Sequence, residues 1–405
     1  MPSPGRRPGQ RRISVKSRKL SRKRRRITMV TAAAASVVAG AAMLPNWSAG
    51  AASTGADDPT VDPATRATFQ RLADAVFTDR TDALVDHKEN PGHAPLTSRF
   101  SGDVQLSSSL EDKEDSALSS LRSRKSRLAT LGEQYSSAKT SVSLDKTRVQ
   151  HRHATVQVTE TTTLTYKKVN GDEPKTTGFQ AHHELTFKAD RQGDWQLTGI
   201  RDTDDGYIAV NQVAKPSAAP TVADTGTPEA VRSATTWPAP AKPKNLSAGT
   251  YNYKAMAAYA EKYWSRYNPA YPDYNPGGGD CTNFVSQSLK AGGWKDVTGS
   301  SSDFHKWFSN STAQSDSWVG VNEFSWFALS SKRVTGLANV YQLDVGDVLQ
   351  MDFDKDGSKD HSMIVTYRSS QGVPYLTYHS TNTFRRSVAS IVASYPNSAY
   401  YAYRT

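Results

Sequence analysis

Cys281 is the single cysteine among 405 residues. It sits in the run Gly277-Gly278-Gly279-Asp280-Cys281-Thr282-Asn283-Phe284-Val285-Ser286-Gln287, between a glycine run and an amphipathic segment. With no second cysteine it cannot form a disulfide within the chain. A lone thiol can be a small buried hydrophobe or a nucleophile, and a nearby histidine decides between them. Three histidines follow it: His305, His361 and His379.

The spacing predicts a helix over 253–267, with Met256, Tyr259, Ala260, Tyr263 and Trp264 on its apolar face and Asn268-Pro269 ending it. A second helix begins at Cys281 with Asp280 as N-cap. It turns Phe284, Val285 and Leu289 into the core until Gly292-Gly293 stops it. The thiol then faces the positive end of a helix dipole, where thiolate is favoured and free N–H groups can meet a developing oxyanion. Asp280 opposes this, because a carboxylate next to a thiol disfavours thiolate. A histidine partner is therefore required.

Val345-Gly346-Asp347-Val348-Leu349-Gln350-Met351 reads as a strand behind a tight turn. His361 opens a second strand through Tyr367, and Tyr375 to His379 forms a third after the turn at Ser369-Ser370-Gln371-Gly372. A hairpin centred near Ser370 would set His361 opposite His379, on one face of the sheet. A slip of one residue would put them on opposite faces. A cysteine, a histidine at a strand start and a polar group on the next strand follow the logic of a thiol hydrolase. One histidine takes the thiol proton and the other group fixes its tautomer.

On the motifs Asp280 to Gln287, Gly346-Asp347-Val348-Leu349, Asp360-His361-Ser362-Met363-Ile364-Val365 and Tyr378-His379-Ser380-Thr381-Asn382, residues from about 251 to 405 resemble the putative amidase domain family. That family is itself similar to the NlpC/P60 and CHAP cysteine peptidases and amidases. The resemblance implies a papain-like α+β fold, with Cys281 as nucleophile, His361 as base and His379 as orienting residue. It leaves Asn382, Asp280 and Asn283 as further contributors. CHAP-type domains carry a carboxylate near the place of His379, so the chain departs from them there.

Asp352, Asp354, Asp356 and Asp360 copy the oxygen positions of the first half of a calcium loop, with Gly357 at the sixth place. Met363 stands where the bidentate Glu belongs, and an Asp-rich turn holding His361 accounts for the run equally. A structural calcium is the cofactor the sequence allows, and none is required by the chemistry. Trp294, Trp307, Trp318, Trp326, Phe304, Phe308, Phe324 and Phe327 crowd the span between the motifs; most are expected in the core, with one or two beside the cleft.

The formal charge of +11 misleads. Residues 1–26 hold twelve basic groups and no acid, and without them the chain stands at about −1. A nucleic-acid partner thus loses its main support. After the basic block come an apolar run from Ile27 to Leu44 and a small-residue cleavage site near Ala51. That order reads as a secretory signal over residues 1–51, by the general route or, through Arg24-Arg25, the twin-arginine route. No membrane span is expected once it is removed. The mature chain is expected to be secreted, extracellular or associated with the cell wall.

Prolines at 216, 220, 228, 238, 240 and 243 mark 214–248 as an extended linker. It divides an N-terminal α+β domain, 52–213, from the amidase-like domain, 249–405. In the first, Val61 to Asp86 and Ser108 to Ser137 have helical spacing, with stripes of Phe69, Leu72, Ala73 and Val76 and of Leu118, Leu121 and Leu128. Period-two segments follow from Ser141 to Ile200, with turns at Asn170-Gly171-Asp172 and Gln192-Gly193-Asp194. Helices before a meander suggest a curved sheet around a helix. His151, His153, His182 and His183 could hold zinc if a further ligand arrived, but polar alternation on a solvated strand explains them as well.

The expected function is a secreted cysteine amidase or peptidase acting on an amide of bacterial peptidoglycan or another extracellular peptide. The alternatives are a noncatalytic envelope-binding protein that keeps the fold, and a zinc hydrolase built on the first-domain histidines.

Overall fold

The computed structural model of the protein describes residues 61–86, 105–204, 209–212, 227–247, 249–274 and 279–405. The expected signal segment, 1–51, and part of the expected linker lie outside the described residues.

Helix α1 (Pro63–Asp82) starts where Asp62 accepts the N–H groups of Ala64 and Thr65 and Pro63 supplies a pre-set φ. The stripe Phe69, Leu72, Ala73 and Val76 is fully buried against the sheet, as its spacing predicts. Helix α2 (Ser108–Thr130) buries Leu118, Leu121 and Leu128. It ends short of the expected Ser137 because Gly132, at φ 78°, breaks the helical path.

The chain then runs through β2 (Tyr135–Gln150), β3 (His153–Tyr166), β4 (Thr176–Ala189) and β5 (Trp195–Asp202), an antiparallel meander, with the two-residue β1 (Gln105–Leu106) beside β5. Two short strand-like segments of the sequence, 155–159 and 163–166, are one long strand, β3. Gly171 and Gly193 take positive φ at the two expected turns.

The second half contributes α3 (Tyr253–Tyr263), α4 (Cys281–Ala291), the short α5 (Asp316–Val319), α6 (Val321–Ser330) and β6 (Thr335–Leu337). Then come β7 (Val348–Asp352), β8 (His361–Arg368), β9 (Pro374–Tyr378), β10 (Asn382–Ser387), α7 (Val388–Ser394) and β11 (Ala399–Arg404). The order β10-β9-β8-β7-β11-β6 is antiparallel throughout. Helices with a mainly antiparallel sheet make this an α+β protein.

The sheet has two faces with separate cores. Val348, Ile364, Tyr401 and Tyr403 meet α3, α4 and α6 and the rings of Trp294, Trp307 and Trp318 on one side. Leu349, Met351, Met363, Val365, Leu376 and Tyr378 meet Val388 and Ile391 of α7 on the other. The tryptophans expected mostly in the core are there: Trp294, Trp307 and Trp318 are almost completely buried.

The two halves are continuous through the sheet. Asn382, Thr383 and Phe384 of β10 pair with Gln180, Phe179 and Gly178 of β4. Residues 227–247 do not hang free: the Ser233 N–H bonds the Tyr400 carbonyl, Ala234 bridges to Asn339, and the Lys244 ammonium reaches Asp347 at 2.7 Å. Proline supplies the extended path, and the non-proline residues supply the donors.

Candidate active site

Helix α4 places the thiol. Cys281 is its first residue, 5% exposed, and Phe284, Val285 and Leu289 anchor the helix in the core. Gly292 caps the other end, and Gly293 follows at φ 105°. At the start, Thr282 Oγ1 lies 3.0 Å from Ser362 Oγ on β8, and Gln350 of β7 donates to that same serine. The N-terminus of α4 is thereby pinned to the opening of β8.

Asp280 occupies the N-cap position but does not cap the helix with its side chain. Its carboxylate turns elsewhere. Oδ1 accepts the Tyr274 N–H at 3.2 Å and the Asn283 side-chain amide at 2.8 Å, and Oδ2 lies 2.7 Å from His379 Nδ1. The Asp280 N–H is taken by Ser380 Oγ. The carboxylate that was expected to oppose a thiolate thus has a histidine as its counter-group.

His379 bridges two helix ends. Its Nδ1 meets Asp280 before α4, and its Nε2 lies 2.8 Å from the carbonyl of Tyr263, the last residue of α3. Carbonyls at a helix C-terminus lack helical partners and carry the negative end of the dipole. Each ring nitrogen therefore has an oxygen acceptor within hydrogen-bond distance. Phe284 and Tyr267 hold the ring in place, with centroids 4.0 and 4.4 Å away.

The expected pairing of His361 with His379 does not form. The β8–β9 ladder pairs Ile364 with Thr377 and Val365 with Leu376, one residue away from the register that would oppose the two histidines. As the period of two requires, that slip separates them. His379 faces α4, while His361 lies on the other face with Met363 and Val365 and meets the Tyr378 ring edge-on at 5.1 Å. His361 is fully buried, and neither ring nitrogen has a hydrogen-bond partner among the described residues. Burial, and then the nearby Arg386 charge, push it down to about 3, so it is neutral.

The other candidates separate cleanly. Asn283 donates to Asp280 and to the Pro272 carbonyl and accepts from Trp318 Nε1 at 2.7 Å, so every polar atom of its side chain is engaged in holding the loop before α4. Gln287 accepts from Tyr259, which Asn268 in turn supports. Asn382 accepts from the Tyr267 hydroxyl that covers His379. His305 is exposed and paired with Asp303.

Asp352, Asp354 and Asp356 bring carboxylate oxygens within 4.8 Å of one another. Asp360 is not with them, because it accepts the Phe353 N–H. In the first half, His183 is not on a solvated face: it is buried between Asp202 and Glu160. The aspartate group is the only cluster of His, Cys, Asp and Glu poised for a metal among the described residues, so the first-domain histidines do not assemble a zinc site there.

Sequence reasoning missed the Asp280–His379 bond and the Tyr263 carbonyl. Their signal was present: a carboxylate beside the thiol needed neutralising, and a helix was predicted to end a few residues past Tyr263.

Comparison with known proteins finds relatives that match about a third of the chain. The uncharacterized protein YhbB of Bacillus subtilis is 32% identical over 127 residues, which cover 31% of this chain and 40% of that protein. The uncharacterized protein YjcM of the same organism is 34% identical over 144 residues, covering 33% and 32%. The chain therefore spans less than half the length of these relatives. The crystal structure of the Kfla4162 protein from Kribbella flavida matches 34% of this chain and 90% of that one, at 15% identity and a TM-score of 0.20. Residues 250–403, which include α4, both histidines and the strands between them, match the family described as "Putative amidase domain", and this supports an amide-bond hydrolase in the second half of the chain.

Proposed function

We propose that the protein is a cysteine-dependent amidase or peptidase, exported from the cell, that hydrolyses an amide of bacterial peptidoglycan or a related extracellular peptide. The observation that carries the reading is the Asp280–His379 bond of 2.7 Å, formed by the residue immediately before the thiol. It supplies the histidine and its orienting carboxylate on the same side of the sheet as Cys281, which is the division of labour of a Cys-His-Asp site. Export rests on the basic and apolar run of residues 1–51, and the wall substrate on the likeness to NlpC/P60 and CHAP enzymes, whose papain-like fold we propose for 249–405.

In this reading the Cys281 thiolate attacks the carbonyl carbon. The first-turn N–H groups of α4, which the Asp280 side chain leaves uncapped, receive the oxyanion. His379 Nε2, leaving the Tyr263 carbonyl, gives a proton to the departing amine as the tetrahedral intermediate collapses to a thioester. Neutral His379 then takes a proton from water, the hydroxide displaces the thiolate, and the acid product leaves. Asp280 keeps Nδ1 fixed throughout. The chemistry needs no metal; calcium at Asp352, Asp354 and Asp356 would brace the turn that leads into β8.

A second reading gives the proton transfer to His361, with His379 holding Asp280. Its support is the pair of ring nitrogens on His361 that have no partner among the described residues. Asparagine at each position separates the two. Loss of turnover in His379→Asn with retention in His361→Asn supports the first reading, and the reverse supports the second.

The decisive experiment incubates the purified protein with peptidoglycan and identifies products by mass spectrometry, beside Cys281→Ala. New amine and carboxyl termini from the parent alone are expected. Equal products from both would sink the thiol mechanism. Wall binding without product from either would favour a noncatalytic envelope-binding role.

A further inference from the structure

A second site lies where the two halves of the chain meet. A cavity of about 240 Å³ opens between the loops after α2 and β3 on one side and β9, α7 and Trp237 on the other. None of its lining residues belongs to the Cys281 site. Its walls are aromatic: Tyr166, Tyr375 and Tyr341 are buried, and Trp237 stands at the rim, 43% exposed. Trp237 and Tyr341 hold their centroids 4.8 Å apart at 52°, and Tyr166 and Tyr375 meet edge to face at 6.3 Å.

Two carboxylates complete the lining. Glu133 is buried, 8% exposed; among the described residues it accepts from the hydroxyls of Tyr135 and Ser387, and the buried Arg386 charge acts on it. Glu173 accepts the Asn170 N–H. Neither makes an ion pair with a described residue. Lys168, at the exposed edge, is the one basic group in the lining. The Tyr166 hydroxyl is buried and forms no hydrogen bond within the described chain.

Each of these features alone has a structural explanation. Together they are the components of a cation receptor: ring faces carry negative potential, the half-buried Glu173 carboxylate, which has no ion pair with a described residue, gains from receiving a cation, and the Tyr166 hydroxyl offers an acceptor. A neutral apolar ligand would bring no counter-charge to Glu173. An anion would meet two like charges.

We infer that this cavity binds an organic ammonium group carried on a flexible chain, such as the side chain of a lysine-like residue in a peptide. The site is a place to hold a ligand and does no chemistry. It makes the junction of the halves a recognition element, separate from the thiol and independent of the reaction assigned to it. Trp237 closes the rim over the bound chain, and Glu173 meets the charge from the loop after β3.

The test titrates the full chain with Nα-acetyl-lysine methylamide and with its neutral isostere Nα-acetyl-norleucine methylamide, by calorimetry and by tryptophan fluorescence. The cationic probe is expected to bind about tenfold tighter than the neutral one. Trp237→Phe should remove most of the fluorescence response, and Glu173→Gln should erase the preference between probes. Both positions are partly exposed, so neither change threatens the fold, and circular dichroism checks this. Equal affinity for the two probes, no saturable binding of either, or an unchanged preference in Glu173→Gln would each overturn the inference. Binding of a neutral disaccharide in place of the lysine probe would overturn it too. Because the readout is binding, these outcomes do not depend on whether Cys281 is catalytic.

Discussion

Three buried histidines, distributed over the two halves of one sheet, have been given three different surroundings. In the first half His183 stands between two carboxylates, Asp202 at 3.0 Å and Glu160 at 3.2 Å, and Phe77 stacks on it. Around them Arg80 pairs with Glu114, and Asn211 joins Glu160 to Thr81. In the second half His379 has one carboxylate and one carbonyl, and His361 has no partner among the described residues. In that network Arg80 and His183 spend their ionic contacts on Glu114, Glu160 and Asp202, and the bonds tie α1, α2, β3, β4 and β5 together. The Asp280–His379 pair adjoins a thiol at a helix N-terminus, where groups remain to receive charge. The difference between a structural lock and a site therefore lies in what adjoins the histidine, here a thiol and uncapped helix N–H groups, not in whether the histidine is buried.

The comparison breaks most readily through activity. His379→Asn should lower turnover by about a thousandfold or more, because proton transfer and thiolate stabilisation are lost together. The thermal midpoint should move much less. His183→Asn should do the opposite. It removes the imidazole from the buried Glu160 and the partly buried Asp202, which costs about 3–5 kcal/mol of stability, and turnover per folded molecule should stay unchanged. Urea unfolding and steady-state kinetics on both variants check the pair. A large kinetic defect in His183→Asn would mean that the first half takes part in the reaction.

Much of this architecture was legible beforehand because local rules acted alone. The stripe of α1, the turns at Gly171 and Gly193 and the start of α4 at Cys281 all follow from residues a few positions apart. The match to an amidase family covers residues 250–403, the span that holds the short motifs. What was not legible depends on register and on distant partners. A shift of one residue in the β8–β9 ladder moved His361 to the other face. The continuity of β4 with β10 joins residues about 200 positions apart, and no local pattern announces it. His183 looked like a solvated strand residue because its partners, Asp202 and Glu160, lie on other strands.

Solution pH probes the same contrast with smaller effects. Burial opposes the charge on His183, but Asp202 and Glu160 overcome this and hold it at about 9. Arg80, the other buried charge at this place, is itself balanced by Glu114 and Glu160. His183 therefore adds stability that is complete below its unfolded value of about 6.5 and lost as pH rises through 9. His361 is shifted the other way, to about 3, by burial and by Arg386. Its unfolded form binds a proton near 6.5 that the folded form refuses, so its contribution is present above 6.5 and fades as pH falls toward 3. His183→Gln should flatten the alkaline limb of stability measured by urea unfolding, and His361→Gln the acid limb. If both limbs persist in both variants, neither histidine governs them.

The acidic loop gives the smallest expected effect, and it tests whether the opening of β8 is a fixed platform. Asp352 accepts the N–H groups of Lys355 and Gly357, Asp356 accepts that of Ser358, and Asp360 accepts that of Phe353. These bonds shape the turn, and Gly357 at φ 95° lets the chain reverse. Asp354, whose acceptance of the Asp356 N–H is long at 3.3 Å, adds least. Asp354→Asn should change stability by less than about 0.5 kcal/mol. A chelator should leave turnover unaltered, since Thr282 and Ser362 already pin α4 to the strand that the turn feeds. A calcium-dependent rise in the thermal midpoint that disappears in Asp354→Asn would place an ion in the loop. If turnover rose with it, the opening of β8 would be an adjustable part of the site.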